Sequence, residues 1–132
     1  MKLTERELTA ALEGAAKSVL AAQDKDVRRG RRTADDAWLA LSKYQRYVML
    51  SGLGEQLLGP LVALPDRDVA IGDRPDATDA EIEAAVQERG GDELRGLKGK
   101  VVLKARVALV RLALSHIPPR ADPDALVVPD HL

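Results

Sequence analysis

The amino-acid sequence predicts an all-α protein, a single-domain bundle of four to five helices around a largely apolar C-terminal helix. Ala and Leu each occur twenty times, whereas Phe, Cys and Asn are absent. Apolar residues recur at intervals of three and four, and Thr4 with Glu7 and Thr78 with Glu81 have the spacing of helix-capping boxes. Such a composition favours a core of aliphatic side chains on helices, because strands are usually enriched in aromatic and β-branched residues.

The chain of 132 residues is long enough for one core. The sequence predicts a helical domain over residues 1–120, followed by an extended or flexible tail over residues 121–132. A first helix is predicted over about residues 4–24, where most of the apolar positions are small. Because small side chains let a neighbouring helix approach closely, this helix favours a compact bundle.

A second helix is predicted over residues 34–50, because Thr33 is a favourable cap and the acidic Asp35 and Asp36 suit the positive end of a helix. A rotation of about 100° per residue then defines two faces. The inner face comprises Trp38, Leu41, Tyr44, Gln45, Val48 and Met49. The outer face comprises Lys43, Arg46 and Tyr47.

A third helix is predicted from the helical spacing of the leucines between residues 53 and 64. Pro60 lies inside this pattern. Because proline lacks an amide hydrogen and clashes with the preceding turn, we expect a kink or break near Leu58 and Gly59.

The C-terminal half begins with a predicted long loop at residues 66–77 and a short acidic helix from Thr78 to about Glu88. Asp92 is a candidate cap for the final helix, predicted over about residues 93–117. That helix is apolar on most sides, and such helices lie at the centre of a bundle or pair with another copy. The sequence therefore predicts a central C-terminal helix or a homodimer.

Charge is segregated along the chain although its net value is only −1. Residues 65–93 contain ten acidic residues against three arginines, and residues 94–120 contain seven bases and no acid. Our preferred interpretation is that the two segments neutralise each other within the fold. The alternative is an external anionic partner.

The segment VRRGRR at residues 27–32 is the strongest candidate for nucleic-acid binding, because clustered cations neutralise phosphates and an exposed tyrosine can stack on a base. The candidate patch comprises Arg28, Arg29, Arg31, Arg32, Lys43, Arg46 and Tyr47. The simpler interpretation is a solvated turn whose arginines interact with nearby carbonyls and with Asp35 and Asp36.

Arg106 differs from the other bases of the last helix because it projects among apolar positions near Val102 and Leu109. A buried ion needs a partner, since an isolated charge is very costly to desolvate. We therefore expect a structural salt bridge to the acidic segment, or alternatively a position in a subunit interface.

No catalytic, metal-binding or cofactor-binding motif is recognised in the sequence. His116 is interpreted as a helix cap, and the serines lack a neighbouring base in sequence. His131 with Asp122, Asp124 and Asp130 could hold a divalent ion, but mobile tails seldom preorganise a site. We therefore expect neither an enzyme nor a cofactor.

Two functions remain as hypotheses. The first is a small non-enzymatic helical interaction protein that forms a homodimer, with the last helix or the segment at residues 53–64 as the interface, and that binds a macromolecular partner. The alternative is a nucleic-acid-binding regulator that uses the basic turn at residues 28–32 and the outer face of the helix at 34–50. The absence of Cys and of a membrane-spanning or leader pattern predicts a cytoplasmic protein without membrane association, and the residue usage suggests a bacterial or phage genome.

Overall fold

Six α-helices and one short 3₁₀ helix follow one another in a computed structural model that describes residues 1–121. The helices are α1 (Glu5–Gln23), α2 (Lys25–Arg28), α3 (Ala34–Ala40), α4 (Lys43–Ala63), α5 (Asp79–Gly90), the 3₁₀ helix (Gly91–Leu94) and α6 (Gly96–Ser115). No strand occurs within the described range, which confirms the all-α prediction, whereas the six α-helices in that range exceed the four to five predicted. All of the predicted tail except Ala121 lies outside that range.

α1 begins where the sequence predicts, at a complete capping box. The Thr4 hydroxyl accepts a hydrogen bond from the Glu7 amide at 3.1 Å, and the Glu7 carboxylate accepts one from the Thr4 amide at 2.9 Å. The small residues Ala11, Ala15 and Ala16 are buried on the inner face of α1. They let α1 pack closely against α3, α4 and α6.

The region predicted as one helix at residues 34–50 is divided, and this part of the prediction was wrong. α3 ends at Ala40, and Leu41 has extended backbone angles. Ser42 then caps a new helix, since its hydroxyl accepts from the Gln45 amide at 3.1 Å and the Gln45 side chain accepts from the Ser42 amide at 2.9 Å. This capping box explains both the break and the start of α4.

The division changes which side chains face the core. Trp38 on α3 is buried, as predicted. Tyr44 is 74% exposed, and Gln45 and Val48 are also exposed, so their assignment to an inner face was wrong. The restart at Ser42 rotates α4 relative to a continuous helix, and Leu53, Leu57 and Leu61 become its buried face.

α4 continues through Pro60 to Ala63, so the expected break near Leu58 and Gly59 does not occur. Proline removes only its own amide from the hydrogen-bond ladder, and its carbonyl still accepts from the Leu64 amide at 3.1 Å. Pro60, Leu57 and Leu61 are all buried. Tertiary packing therefore offsets the cost of a proline inside the helix.

α5 and α6 form an antiparallel hairpin joined by the 3₁₀ helix. α6 begins at Gly96 after Arg95, so the prediction of a helix start near residue 93 with Asp92 as cap was wrong. Gly96 has a φ of 72°, in the left-handed region that favours glycine. A Cβ atom at Gly99 would overlap the backbone of Leu94, so this glycine lets the 3₁₀ helix lie directly against α6.

α1, α4, α5 and α6 enclose the core. Its largest fully buried side chains are Leu57, Leu61, Leu64, Ile82, Ile117, Val86, Val110 and Pro75. Only one face of α6 contributes to this core, mainly in its second half. The expectation of a C-terminal helix buried on most sides is therefore not confirmed, since its first half leaves apolar side chains in solvent.

The long loop between α4 and α5 is attached to the segment that follows α6. The Gly72 amide donates to the Arg120 carbonyl at 2.8 Å, and the Arg120 amide donates to the Asp73 carbonyl at 2.7 Å. These two backbone hydrogen bonds hold the middle of the loop beside the end of the domain.

Candidate interaction surface

One face of α6 exposes a row of apolar residues, which we call the α6 ridge: Leu97, Val101, Ala105 and Ala108. Leu97 is 81% exposed and Val101 is 69% exposed, and both alanines are also exposed. The spacing of four, four and three residues places all four side chains on one side of the helix. An apolar stripe of this kind is expected to be covered, because burying apolar surface is the main favourable term in association.

A groove of about 920 Å³ runs beside the ridge, between α5 and α6. Leu94, Leu103 and Val107 form its apolar floor. The α5 wall comprises Asp79, Glu83 and Gln87. The α6 wall comprises Lys100, Lys104 and Arg111. The groove therefore has an acidic wall on one side and a basic wall on the other.

Arg111 closes one end of the groove by joining its two walls. Its guanidinium donates to Asp76 at 2.8 Å, to the Ala77 carbonyl at 2.8 Å and to Asp79 at 2.6 Å. The hydrogen bond that Arg111 donates to Asp79, together with the negative charge of both carboxylates, raises the pKa of Arg111. This contact holds the second half of α6 against the N-terminus of α5.

The charged residues in the middle of the groove, unlike Arg111 at its end, are not paired with each other. Glu83, Lys100 and Lys104 are exposed, and none of them forms an ion pair within residues 1–121. Their charges are therefore free to meet opposite charges from outside the domain.

Arg106 forms an ion pair with Glu93, a residue of the acidic segment. Its side chain is only 21% exposed, whereas that of Glu93 is largely exposed. The contact links α6 to the 3₁₀ helix that precedes it. A partner within the same chain thus satisfies this half-buried charge.

The basic turn around α2 is partly neutralised by its own acids. Arg32 forms an ion pair with Asp24, and Arg31 lies 3.7 Å from Asp26. The hydrogen bond from Arg32, followed by the amide of Val27, lowers the pKa of Asp24. Arg28 and Arg29 are exposed and have no ion pair within the described part of the chain.

The other residues of the candidate nucleic-acid patch lie on the first turns of α4. Lys43 and Tyr47 are exposed, whereas Arg46 is half-buried. α2 packs against α1, and α4 packs against α1, α5 and α6. Arg28 ends α2, the other three arginines lie in the turn that follows it, and the remaining three residues of the patch lie on α4. The basic turn is therefore where the sequence predicts it, whereas the residues of the predicted outer face belong to a helix that begins only at Lys43.

A second apolar face was recognised in the sequence only in part, as the segment at residues 53–64. The outward side of α4, which we call the α4 stripe, carries Tyr44, Tyr47, Val48, Leu58 and Val62. These residues share one face because α4 is a single helix from Lys43 to Ala63, whereas the sequence predicts two helices there. The capping box of Ser42 and Gln45 was the sequence signal for the start of this helix.

Ser18 and His116 are brought together although they are distant in sequence. The Ser18 hydroxyl lies 3.0 Å from His116 Nε2, and His116 occupies the C-cap position of α6. Nearby, the Lys17 ammonium lies 3.0 Å from Asp35 and 3.4 Å from Glu13. Within residues 1–121 no third group hydrogen-bonds the imidazole, so the pair is not part of a catalytic triad there. The candidate ion ligands around His131 lie outside the described residues.

Comparison with known protein families, with curated proteins and with solved structures finds no match to this chain. Among the helices of residues 1–121, none has the combination of length and apolarity needed to cross a bilayer.

Proposed function

We propose that this protein is a non-enzymatic helical interaction protein that self-associates as a homodimer through the α6 ridge and binds a macromolecular partner. One observation carries the proposal: the ridge places Leu97 and Val101 side by side in solvent. The imidazole–hydroxyl pair of His116 and Ser18 gives no comparable support for an enzyme.

The composition of the ridge suits a helix-to-helix contact. Burying a leucine or valine side chain contributes roughly 1.5–3 kcal/mol. Ala105 and Ala108 have small side chains that let a second helix approach closely. A homodimer commonly uses the same patch on both copies, so each residue of the ridge contributes buried apolar surface from both copies.

The α4 stripe is a separate apolar surface for the macromolecular partner. Tyrosine is enriched at protein interfaces because it combines a large apolar area with a polar group. Tyr44 and Tyr47 supply two such side chains, and Leu58 and Val62 extend the stripe along the helix.

The double substitution L97D/V101D tests self-association. Two charges on the ridge should weaken the dimer roughly a hundredfold or more. Light scattering after size-exclusion chromatography measures the mass. The control is L39D/V62D, which changes the same residue types at exposed positions of α3 and α4. We expect this control to remain dimeric, whereas a dimer that survives L97D/V101D would contradict the role of the ridge.

Nucleic-acid binding is the second candidate, and the exposed Arg28 and Arg29 favour it. Because Arg31 and Arg32 already have carboxylate partners, R28S/R29S should weaken binding more than R31S/R32S. Fluorescence anisotropy with single-stranded and duplex oligonucleotides at several salt concentrations measures the affinity of each variant. Absence of binding by the wild-type protein at low salt would reject this candidate.

A further inference from the structure

We infer that a second copy of the chain binds at the α5–α6 groove. The acidic wall of each groove then faces the basic wall of the groove in the other copy. This inference rests on the proposed self-association and adds the arrangement of the two chains. It makes Glu83, Lys100 and Lys104 the residues that select this arrangement.

Two simple two-fold arrangements can bring two grooves face to face, and they differ in their charge contacts. A two-fold axis perpendicular to α6 in the plane of the contact places α5 over α5 and α6 over α6. Acidic walls would then meet each other, and so would basic walls. Like charges placed opposite each other are unfavourable, and they suppress such a pairing.

A two-fold axis parallel to α6 gives the opposite result. It places α6 of one copy over α5 of the other, so that Lys104 and Lys100 face Glu83 and Gln87 of the second copy. The apolar floor formed by Leu103 and Val107 is covered at the same time, and so are Leu97 and Ala108, the ridge residues that also line the groove. The two hairpins together then make a four-helix arrangement, the usual way for amphipathic helices to close a core.

The ion pairs within the chain support this assignment. Arg111 forms ion pairs with Asp79 and Asp76, and Arg106 forms one with Glu93. The charges left in the middle of the groove are acidic on α5 and basic on α6. The groove is therefore complementary to a rotated copy of itself, as a contact that uses the same patch on both copies requires.

A charge-reversal experiment tests the arrangement. One variant, E83K/Q87K, makes both walls basic, and the other, K100E/K104E, makes both walls acidic. We expect each variant alone to dimerise roughly tenfold or more weakly than the wild type, because like charges then face each other. An equimolar mixture should form a heterodimer of near wild-type affinity, since each basic wall meets an acidic wall.

The mixture also separates charge contacts from folding defects, because a misfolded variant would not be rescued by a second chain. The matched controls are E88K and K98E, which reverse exposed charges on the sides of α5 and α6 that face away from the groove. Both should dimerise like the wild type. Sedimentation velocity of each variant and of the mixture measures the affinities.

Each remaining outcome has a definite meaning. If the wild-type protein is a monomer, the proposed self-association itself fails. If the wild type dimerises but both groove variants dimerise equally well, the ridge is used without this arrangement of the grooves. Weakened variants whose mixture stays weak would likewise overturn the inference, whereas rescue in the mixture supports it.

Discussion

Glu7 connects the start of α1 to the segment that follows α6. Its carboxylate accepts hydrogen bonds from the Thr4 amide at 2.9 Å and from Arg120 Nη2 at 2.9 and 3.1 Å. Glu7 is buried, which by itself raises the pKa of a carboxyl group. The Thr4 amide and the Arg120 guanidinium outweigh that effect and lower the pKa of Glu7. A single side chain thus caps a helix and holds a distant segment.

We predict that E7Q destabilises the fold by about 2 kcal/mol at neutral pH, because it leaves the half-buried Arg120 without its charged partner. Since the pKa of Glu7 is lower in the folded state, its charge stabilises the fold above the unfolded-state pKa. That contribution is lost as the pH falls through the folded-state pKa. Urea unfolding at pH 7 and at acidic pH should show a smaller pH dependence for E7Q than for the wild type.

The matched control for Glu7 is E5Q, which changes an exposed glutamate on the same turn of α1. We expect E5Q to alter the free energy of unfolding only slightly. Equal stability of E7Q and E5Q would contradict the structural role assigned to Glu7.

At the scale of whole helices, His116 holds the end of α6 against α1. A Cβ atom on Gly14 would overlap the imidazole of His116, so the ring lies directly on the α1 backbone. The same ring lies 3.0 Å from the Ser18 hydroxyl, one turn further along α1. Gly14 therefore fixes the distance between the two helices.

We predict that G14A destabilises the protein although alanine is the better helix former. Helix propensity favours alanine by about 1 kcal/mol, whereas displacing a packed side chain costs about 1–3 kcal/mol. G52A is the control, because nothing lies near its added methyl group in α4, and it should be stabilising. Adding H116A to G14A should recover most of the lost stability in thermal unfolding. A stabilising G14A would contradict the packing described here.

The helices that begin at a recognised capping box were predicted well. Thr4 and Thr78 each fix a helix start through contacts only three residues apart, so α1 and α5 could be located from local sequence. The α3–α4 boundary depends on the same kind of signal at Ser42, which apolar periodicity concealed. Continuity through Pro60 depends on tertiary packing, which no local pattern contains.

The candidate surface was predictable only in part. The all-round apolarity of the last helix indicated a subunit contact as one of two alternatives, and the ridge lies on that helix. The groove was not predictable, because it depends on how α5 packs on α6. Tyr44 and Val48 are exposed because α4 begins anew after Ser42, so that its orientation is independent of that of α3. The residue types alone do not indicate this exposure.

At the scale of the whole molecule, the segregated charge has two roles. Part of it is neutralised within the fold, where Arg111 and Arg106 pair with the acidic segment. Another part, Glu83 with Lys100 and Lys104, lines the groove as two walls of opposite sign. A net charge near zero therefore conceals a groove whose two walls have opposite sign, which is the basis of the proposed pairing with a second copy.

Sedimentation velocity of the wild-type protein over a wide concentration range tests the central claim most directly. We expect a reversible species of twice the chain mass that dominates at micromolar concentrations and weakens as salt is raised, because the facing charges are then screened. A sedimenting species of single-chain mass at every concentration would contradict self-association through the α6 ridge.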